Sequence, residues 1–190
     1  MDQKSALLAG AKRCLVEKGY GQTTARDIAE ASGAHLGSIG YHYRGKDRLM
    51  NMAALELSDE WGDTINRALA EAQGETERER VLAALIGVVD SLPESREVQS
   101  ASLQAFAQAQ FDDELREQIA AGTVEGRRAF AALLAGEDEQ TDAELTQAQD
   151  ALGTLTYAIT VGLAVQSLIA PDTLPTSEQI EEALDLLAEQ

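Results

Sequence analysis

Three glycines cut the first fifty residues of this 190-residue chain into short pieces: Gly19, Gly33 and Gly45. Upstream of the first, Leu7, Leu8, Ala11, Leu15 and Val16 recur at helical spacing and predict a helix over residues 3–18. Gly19 ends it, with Lys18 in the last turn. Thr24, followed by Asp27 three residues later, starts a second helix over residues 24–31 that buries Ile28 and Ala29. Gly33 stops this helix at a tight turn. A third short helix follows over residues 35–41, and Lys46 opens a fourth after Gly45, reaching residue 73.

Helix, glycine turn, short helix is the helix-turn-helix pattern. Such a pair needs a small residue at the turn, so that the two helices cross closely, and Gly33 supplies it. It needs apolar residues that lock the helices together, and Ile28, Ala29 and Ile39 fit. The outer face of the second helix needs polar tips that reach bases or phosphates, a role open to His35, Ser38, Tyr41 and His42.

The remainder also reads as helix. Thr76-Glu-Arg-Glu79 is a capping box ahead of the apolar run 81–89, and Pro93 closes that helix. Helices are predicted over 95–109 and 112–134, followed by an acidic loop over 136–140. Thr141-Asp-Ala-Glu144 is a second capping box, opening a long helix that ends before Pro171. Thr176-Ser-Glu-Gln179 caps a last helix through residue 187. The expectation is an all-α chain of about nine helices. No run of alternating β-branched residues calls for a strand, and no repeat of fixed period is visible. Residues 151–170 form a charge-free apolar stretch of about membrane-spanning length. Its threonines, Gln166 and Ser167, with no basic flank, favour a packed helix over a span.

Charge divides the chain in two. The net charge is −18. Residues 1–50 carry eight Lys/Arg against five Asp/Glu, a net of +3; residues 51–190 carry seven against twenty-eight, a net of −21. The acidic part repels nucleic acid, so any contact with DNA must come through the first fifty residues. The expected domains are therefore 1–50, a helix-turn-helix DNA-binding module, and 51–190, a helical effector-binding and dimerisation domain. One cysteine, Cys14, excludes an internal disulfide and fits a reducing cytoplasm. The N-terminal residues lack the apolar stretch of a signal peptide.

The segment GYGQTTARDIAEASGAHLGSIGYHYRGKDRL, residues 19–49, resembles the DNA-binding signature of the TetR family of bacterial transcriptional regulators. The matching elements are Gly19-Tyr20, Thr23-Thr24, Asp27-Ile28-Ala29, Ala31-Ser32-Gly33, Ser38-Ile39, Tyr41-His42-Tyr43, Lys46 and Leu49. Chemistry gives each polar residue a role. Lys46 stands at a helix start, where its ammonium and the free N–H groups suit a phosphate. Tyr41 and His42 donate to phosphate oxygens, Ser38 touches a base edge, and Arg26 reaches the backbone. Thr24 bonds a phosphate while capping its helix, and His35 and Leu36 contact base edges. The resemblance implies DNA contact at the positions of Arg26, Ser38, Tyr41, His42 and Lys46. Tyr43 and Tyr20 are expected to pack inside, Arg44 and Arg48 to be solvated, and Cys14 to be buried filler. This chain departs from the family at Gly40, where a tyrosine is usual. Glycine removes a phosphate contact there and is about 1 kcal/mol less favourable than alanine in a helix.

The resemblance also implies a ligand pocket in the C-terminal domain and a homodimer built from the last two helices, here 141–170 and 176–187. Independently, the 151–170 segment is apolar or small on nearly every side, which a single small domain cannot bury alone. Two weakly basic modules on one two-fold axis then read a palindromic double-stranded operator together. Candidate effector contacts are the large side chains Trp61, Phe106, Phe111, Phe130 and Tyr157, with Met52 beside them and Gln104 and Gln108 as polar anchors. No catalytic constellation emerges: both histidines lie in the DNA motif, and GxGxxG, GxxxxGK[ST], CxxC and HExxH are absent. No enzyme, metal, cofactor or membrane role is expected. The sequence therefore predicts a ligand-responsive repressor. The competing reading is an acidic helical protein-interaction module that has lost DNA binding.

Overall fold

The computed structural model describes residues 2–136 and 145–188. Among them lie nine α-helices and no strand: α1 (Gln3–Lys18), α2 (Ala25–Ser32), α3 (Leu36–Tyr43), α4 (Lys46–Glu71), α5 (Glu77–Ser91), α6 (Arg96–Gln108), α7 (Asp113–Ala135), α8 (Gln147–Ile169) and α9 (Ser177–Ala188). A single 3-10 turn, Pro171–Thr173, follows α8. The helices gather into two compact units. The first takes the described residues of 1–61 and 97–120, and the second those of 62–96 and 121–190.

The first unit is built on α1, α2 and α3. Asp2 caps α1 by accepting from the Ser5 N–H at 2.7 Å. The inward face of α1 is Leu7, Ala11, Cys14 and Leu15, all buried, with Leu8 and Val16 packed at the edge of the same core. Ile28, Ile39, Tyr43, Leu49 and Met50 complete that core with Ala101 and Ala105 of α6. Burial pushes the Cys14 thiol upward in pKa. The close crossing of α1 and α2 depends on Gly10, whereas the turn between α2 and α3 does not need Gly33 for close approach. A Cβ on Gly10 would sit 2.8 Å from Ser32 Cβ and 3.1 Å from the Ile28 carbonyl oxygen. Nothing lies within 4 Å of a Cβ on Gly33. What Gly33 supplies is its left-handed backbone, φ 67°, at the C-cap of α2.

In the second unit α5 packs against α8 and α9. Thr76 and Glu79 close the expected capping box. Arginines finish the ends of α7 and α8. Arg80 donates to the Leu134 carbonyl at 2.7 Å and to the Gly74 carbonyl at 3.1 Å. Arg96 donates to the last carbonyls of α8, at Ser167 (2.9 Å) and Leu168 (3.0 Å). Arg78 pairs with Asp185 between α5 and α9. The last helix is capped as the sequence predicts, Thr176 and Gln179 bonding each other's backbone N–H at 3.3 and 3.0 Å.

The long apolar helix starts later than expected. Thr146 and Gln149 form the capping box of α8, because glutamine serves at the third position as well as glutamate. The expected box at Thr141–Glu144 and the acidic loop over 137–140 lie outside the described residues. α8 is long and apolar enough to cross a membrane by length and composition. Within the second unit it has two faces. Gly153, Thr156, Thr160, Leu163, Ala164 and Ser167 are buried. The Thr156 and Thr160 hydroxyls donate back to the Leu152 and Thr156 carbonyls. On the opposite face Leu155, Ile159 and Ile169 are exposed.

Candidate nucleic-acid interface

Thr24 and Asp27 fix the start of α2. The Asp27 N–H donates to the Thr24 hydroxyl oxygen at 3.2 Å, and the Thr24 N–H donates to the Asp27 carboxylate at 2.7 Å. Lys18 adds an ion pair to Asp27 at 2.6 Å. Lys18 and the Thr24 donors hold the Asp27 carboxyl well below the usual carboxylate range. Thr24 and Arg26 are exposed in this first turn. Arg13 donates to the Ala31 carbonyl, tying α1 to the far end of α2.

α3 is oriented from beneath. Ile39 and Tyr43 point inward and are 3% exposed, and the Tyr43 hydroxyl donates to the Lys4 carbonyl at 2.7 Å. Leu36, Gly37, Gly40 and Tyr41 are all exposed, with Tyr41 on the side opposite Ile39 and Tyr43. Tyr41 is 85% exposed, the highest value among the large apolar side chains described, and its ring meets His42 edge-on at 4.9 Å. Ser38 and His42 flank this strip and are half-buried. His35 is the N-cap of α3, exposed and making no side-chain cap bond. α3 extends two residues beyond the predicted end, to Tyr43, where Arg44 adopts φ 62°.

Lys46 sits at the first position of α4. Its ammonium donates to the Thr23 carbonyl at 3.3 Å, lies 3.3 Å from the Asp47 carboxylate and stands 5.7 Å from the centre of the Tyr20 ring. The starts of α2 and α4 are thereby brought together beside α3. The first unit thus places Thr24, Arg26, His35, Leu36, Ser38, Tyr41, His42 and Lys46 on α2, α3, their turn and the start of α4. Arg48, expected to be solvated, pairs with Glu114 at 3.0 Å.

A second set of residues holds this module and went unread in the sequence. The Tyr20 hydroxyl donates to Asn51 Oδ1 at 2.6 Å, and Asn51 Nδ2 donates to Asp112 at 2.6 Å. Asp112 in turn caps α7 by accepting from the Leu115 N–H at 3.0 Å. Burial pushes the Tyr20 phenol up to about 12.

The expected effector residues are scattered. Gln104 accepts from the Tyr20 N–H at 2.7 Å and donates to the Ser100 carbonyl at 3.2 Å, so its amide is engaged in the fold. Phe111 is 84% exposed, and Phe106 and Gln108 are half-buried. Phe130 is buried and meets Tyr157 edge-on at 6.4 Å. Trp61 is buried, and its indole N–H has no partner among the described residues. A cleft of 480 Å³ in the first unit is lined in part by Met52, Leu55 and Glu56, and one of 250 Å³ in the second by Arg127, Arg128 and Asp150. None of the seven residues Trp61, Gln104, Phe106, Gln108, Phe111, Phe130 and Tyr157 lines either cleft. Among the described residues, no group of three or more His, Cys, Asp or Glu side chains could hold a metal ion.

The family of bacterial regulatory proteins of tetR type matches residues 7–53, and the C-terminal region of BetI-type transcriptional repressors matches residues 77–190. The HTH-type transcriptional repressor AcnR of Corynebacterium efficiens is 32% identical over 66 residues, 35% of this chain and 35% of that protein. The match to this curated relative thus spans about a third of its length. A transcriptional regulator from Rhodococcus sp. Rha1 shares the fold with a TM-score of 0.71 at 21% identity, over 96% of this chain and 92% of that one. A regulator from Saccharomonospora viridis, solved in complex with choline, does so with a TM-score of 0.70 at 21% identity, over 98% and 95%. At these identities the structural likeness concerns the fold. The C-terminal match alone covers more than half of the sequence, beside a helix-turn-helix of matching pattern, and the chain belongs to the TetR family of bacterial transcriptional regulators.

Proposed function

We propose that the chain is a dimeric, effector-responsive repressor of transcription that binds a palindromic stretch of double-stranded DNA in the cytoplasm. Residues 1–50 make the DNA contacts, and residues 51–190 hold the effector and the twin subunit. The observation that carries this reading is the exposed side of α3, anchored by the buried Ile39 and Tyr43 and carrying the exposed ring of Tyr41. Beside it, Lys46 places a cation at a helix start, where backbone N–H groups also favour a phosphate. The net of +3 on this module is too small to bind tightly alone, so two copies are needed.

The apolar face of α8 supports the homodimer. Leu155, Ile159 and Ile169 stand in one row with Gly162 between them, and Leu186 of α9 is 66% exposed. A four-helix contact between α8, α9 and their mates covers this surface.

For the effector, Trp61 is the strongest of the expected contacts. A buried donor without an acceptor is destabilising by about 1–3 kcal/mol, and an effector bearing an oxygen or nitrogen acceptor removes that penalty. An organic cation is the first class to test, given the −21 on residues 51–190 and the choline bound by the Saccharomonospora viridis neighbour.

Footprinting on the DNA upstream of the chain's own gene tests the proposal. Protection of two symmetry-related windows about one helical turn apart is expected. Uniform cleavage there and on every fragment of a genomic library would overturn it.

A further inference from the structure

The helical wheel of α3 has an unusual centre. Its exposed strip runs, in angular order, Leu36, Gly40, Gly37, Tyr41, so that two glycines lie between the two large side chains. Neither glycine has a positive φ, and among the described residues nothing lies within 4 Å of a Cβ built on either. The fold therefore requires neither of them, in contrast to Gly10 and Gly153, where a Cβ would collide with neighbouring atoms at 2.8 and 2.6 Å. Both weaken a helix of only eight residues. The clearance opens outward, beside an apolar side chain that is 48% exposed at the first position of the helix. A lone exposed leucine is ordinary on a protein surface. At the tip of a helix that enters the major groove it faces base edges, where the only apolar group is the methyl of thymine.

Resting on the DNA-binding reading above, we propose that Leu36 reads a thymine methyl group in each operator half-site, and that the absence of side chains at Gly37 and Gly40 lets the base edge come close enough for it to do so. Leu36 then determines specificity for A·T at one position per half-site. Tyr41, on the far side of the gap, reaches toward the sugar-phosphate backbone.

The test uses the duplex that the wild-type chain enriches from a random double-stranded pool. Each thymine is replaced in turn by deoxyuridine, which removes only the methyl group. For the wild type, one symmetry-related position is expected to weaken binding about fourfold per half-site. For Leu36→Ala the same replacement is expected to have no effect. Gly40→Ala is expected to raise the melting temperature by about 2–4 °C while weakening binding to the selected duplex roughly 5- to 150-fold. Methyl sensitivity that is absent, or unchanged in Leu36→Ala, overturns the assignment of Leu36. Unchanged affinity in Gly40→Ala overturns the clearance. If the wild type enriches no duplex, the DNA-binding reading itself falls, and this inference with it.

Discussion

The backbone N–H of Tyr20 donates a 2.7 Å hydrogen bond to the side-chain oxygen of Gln104, eighty-four residues further along the chain. The loop that follows α1 is thus tied to α6 within one compact unit. A Cβ on Gly19 would lie 2.9 Å from the same oxygen, so the contact is tight as well as polar. Gln104→Leu keeps the bulk and removes the acceptor, leaving the Tyr20 N–H unpaired. Chemical denaturation is expected to show a loss of about 1–3 kcal/mol. Stability equal to the wild type would mean that Gln104 is free for another role.

Asp27 makes the start of α2 sensitive to acid. Its carboxyl lies below its ordinary value in the folded chain because the Lys18 ammonium and the Thr24 donors hold the anion. A depressed carboxyl contributes stability that is present above its unfolded pKa, near 4, and is lost as the pH falls toward the folded value. Asp27→Asn removes that contribution. The stability gap between the two proteins is expected to be widest at neutral pH and to close as the solution is acidified below about pH 4. Denaturation curves across that range check this, and a gap that does not vary with pH would contradict it.

These two pairs mark what the sequence reveals. Thr24 and Asp27 are three residues apart, so their cap is written locally, as are the helix end at Gly33 and the face of α1. The helix-turn-helix is legible for that reason. Gln104 looks like a free polar anchor in the sequence because a polar residue between apolar ones on a helix has no local mark of its partner. The Tyr20–Asn51–Asp112 chain spans separations of 31 and 61 residues, and nothing in the composition announces it. Gly10 carries no such mark, since a glycine inside an apolar helix looks neutral until Ser32 is packed on it. The start of α8 is ambiguous in the sequence because two threonine-led capping patterns stand five residues apart, and local pattern does not choose between them.

The exposed row on α8 predicts the oligomeric state. Replacing both Leu155 and Ile159 with glutamate introduces charges into the proposed seam without touching the buried face that carries Thr156, Thr160 and Leu163. Sedimentation is expected to show a dimer for the wild type and a folded monomer for the double variant, with operator binding weakened at least about a hundredfold as the second half-site drops out. A wild-type chain that sediments as a monomer at all concentrations would contradict the account.

Trp61, the chain's one tryptophan, gives a direct test of the proposed effector contact. Its fluorescence is expected to change on binding of an effector that accepts from the indole N–H. Trp61→Phe removes an unpaired buried donor and keeps an aromatic ring, so the variant is expected to melt within about 2–4 °C of the wild type or above it. It should bind the same effector more weakly. Equal affinity in the variant would exclude the indole N–H from the effector site.

The central claim is that a chain of net charge −18 grips a polyanion through a basic helical module doubled by symmetry. The measurement that reaches it most directly is the affinity for the selected duplex over a series of salt concentrations, for the wild type and for Lys46→Ala. The wild type is expected to lose affinity steeply and linearly on logarithmic axes. Lys46→Ala is expected to bind more weakly, with a slope smaller by about one for each phosphate that no longer has a lysine beside it. Affinity that is independent of salt, or identical in the two proteins, would contradict the account.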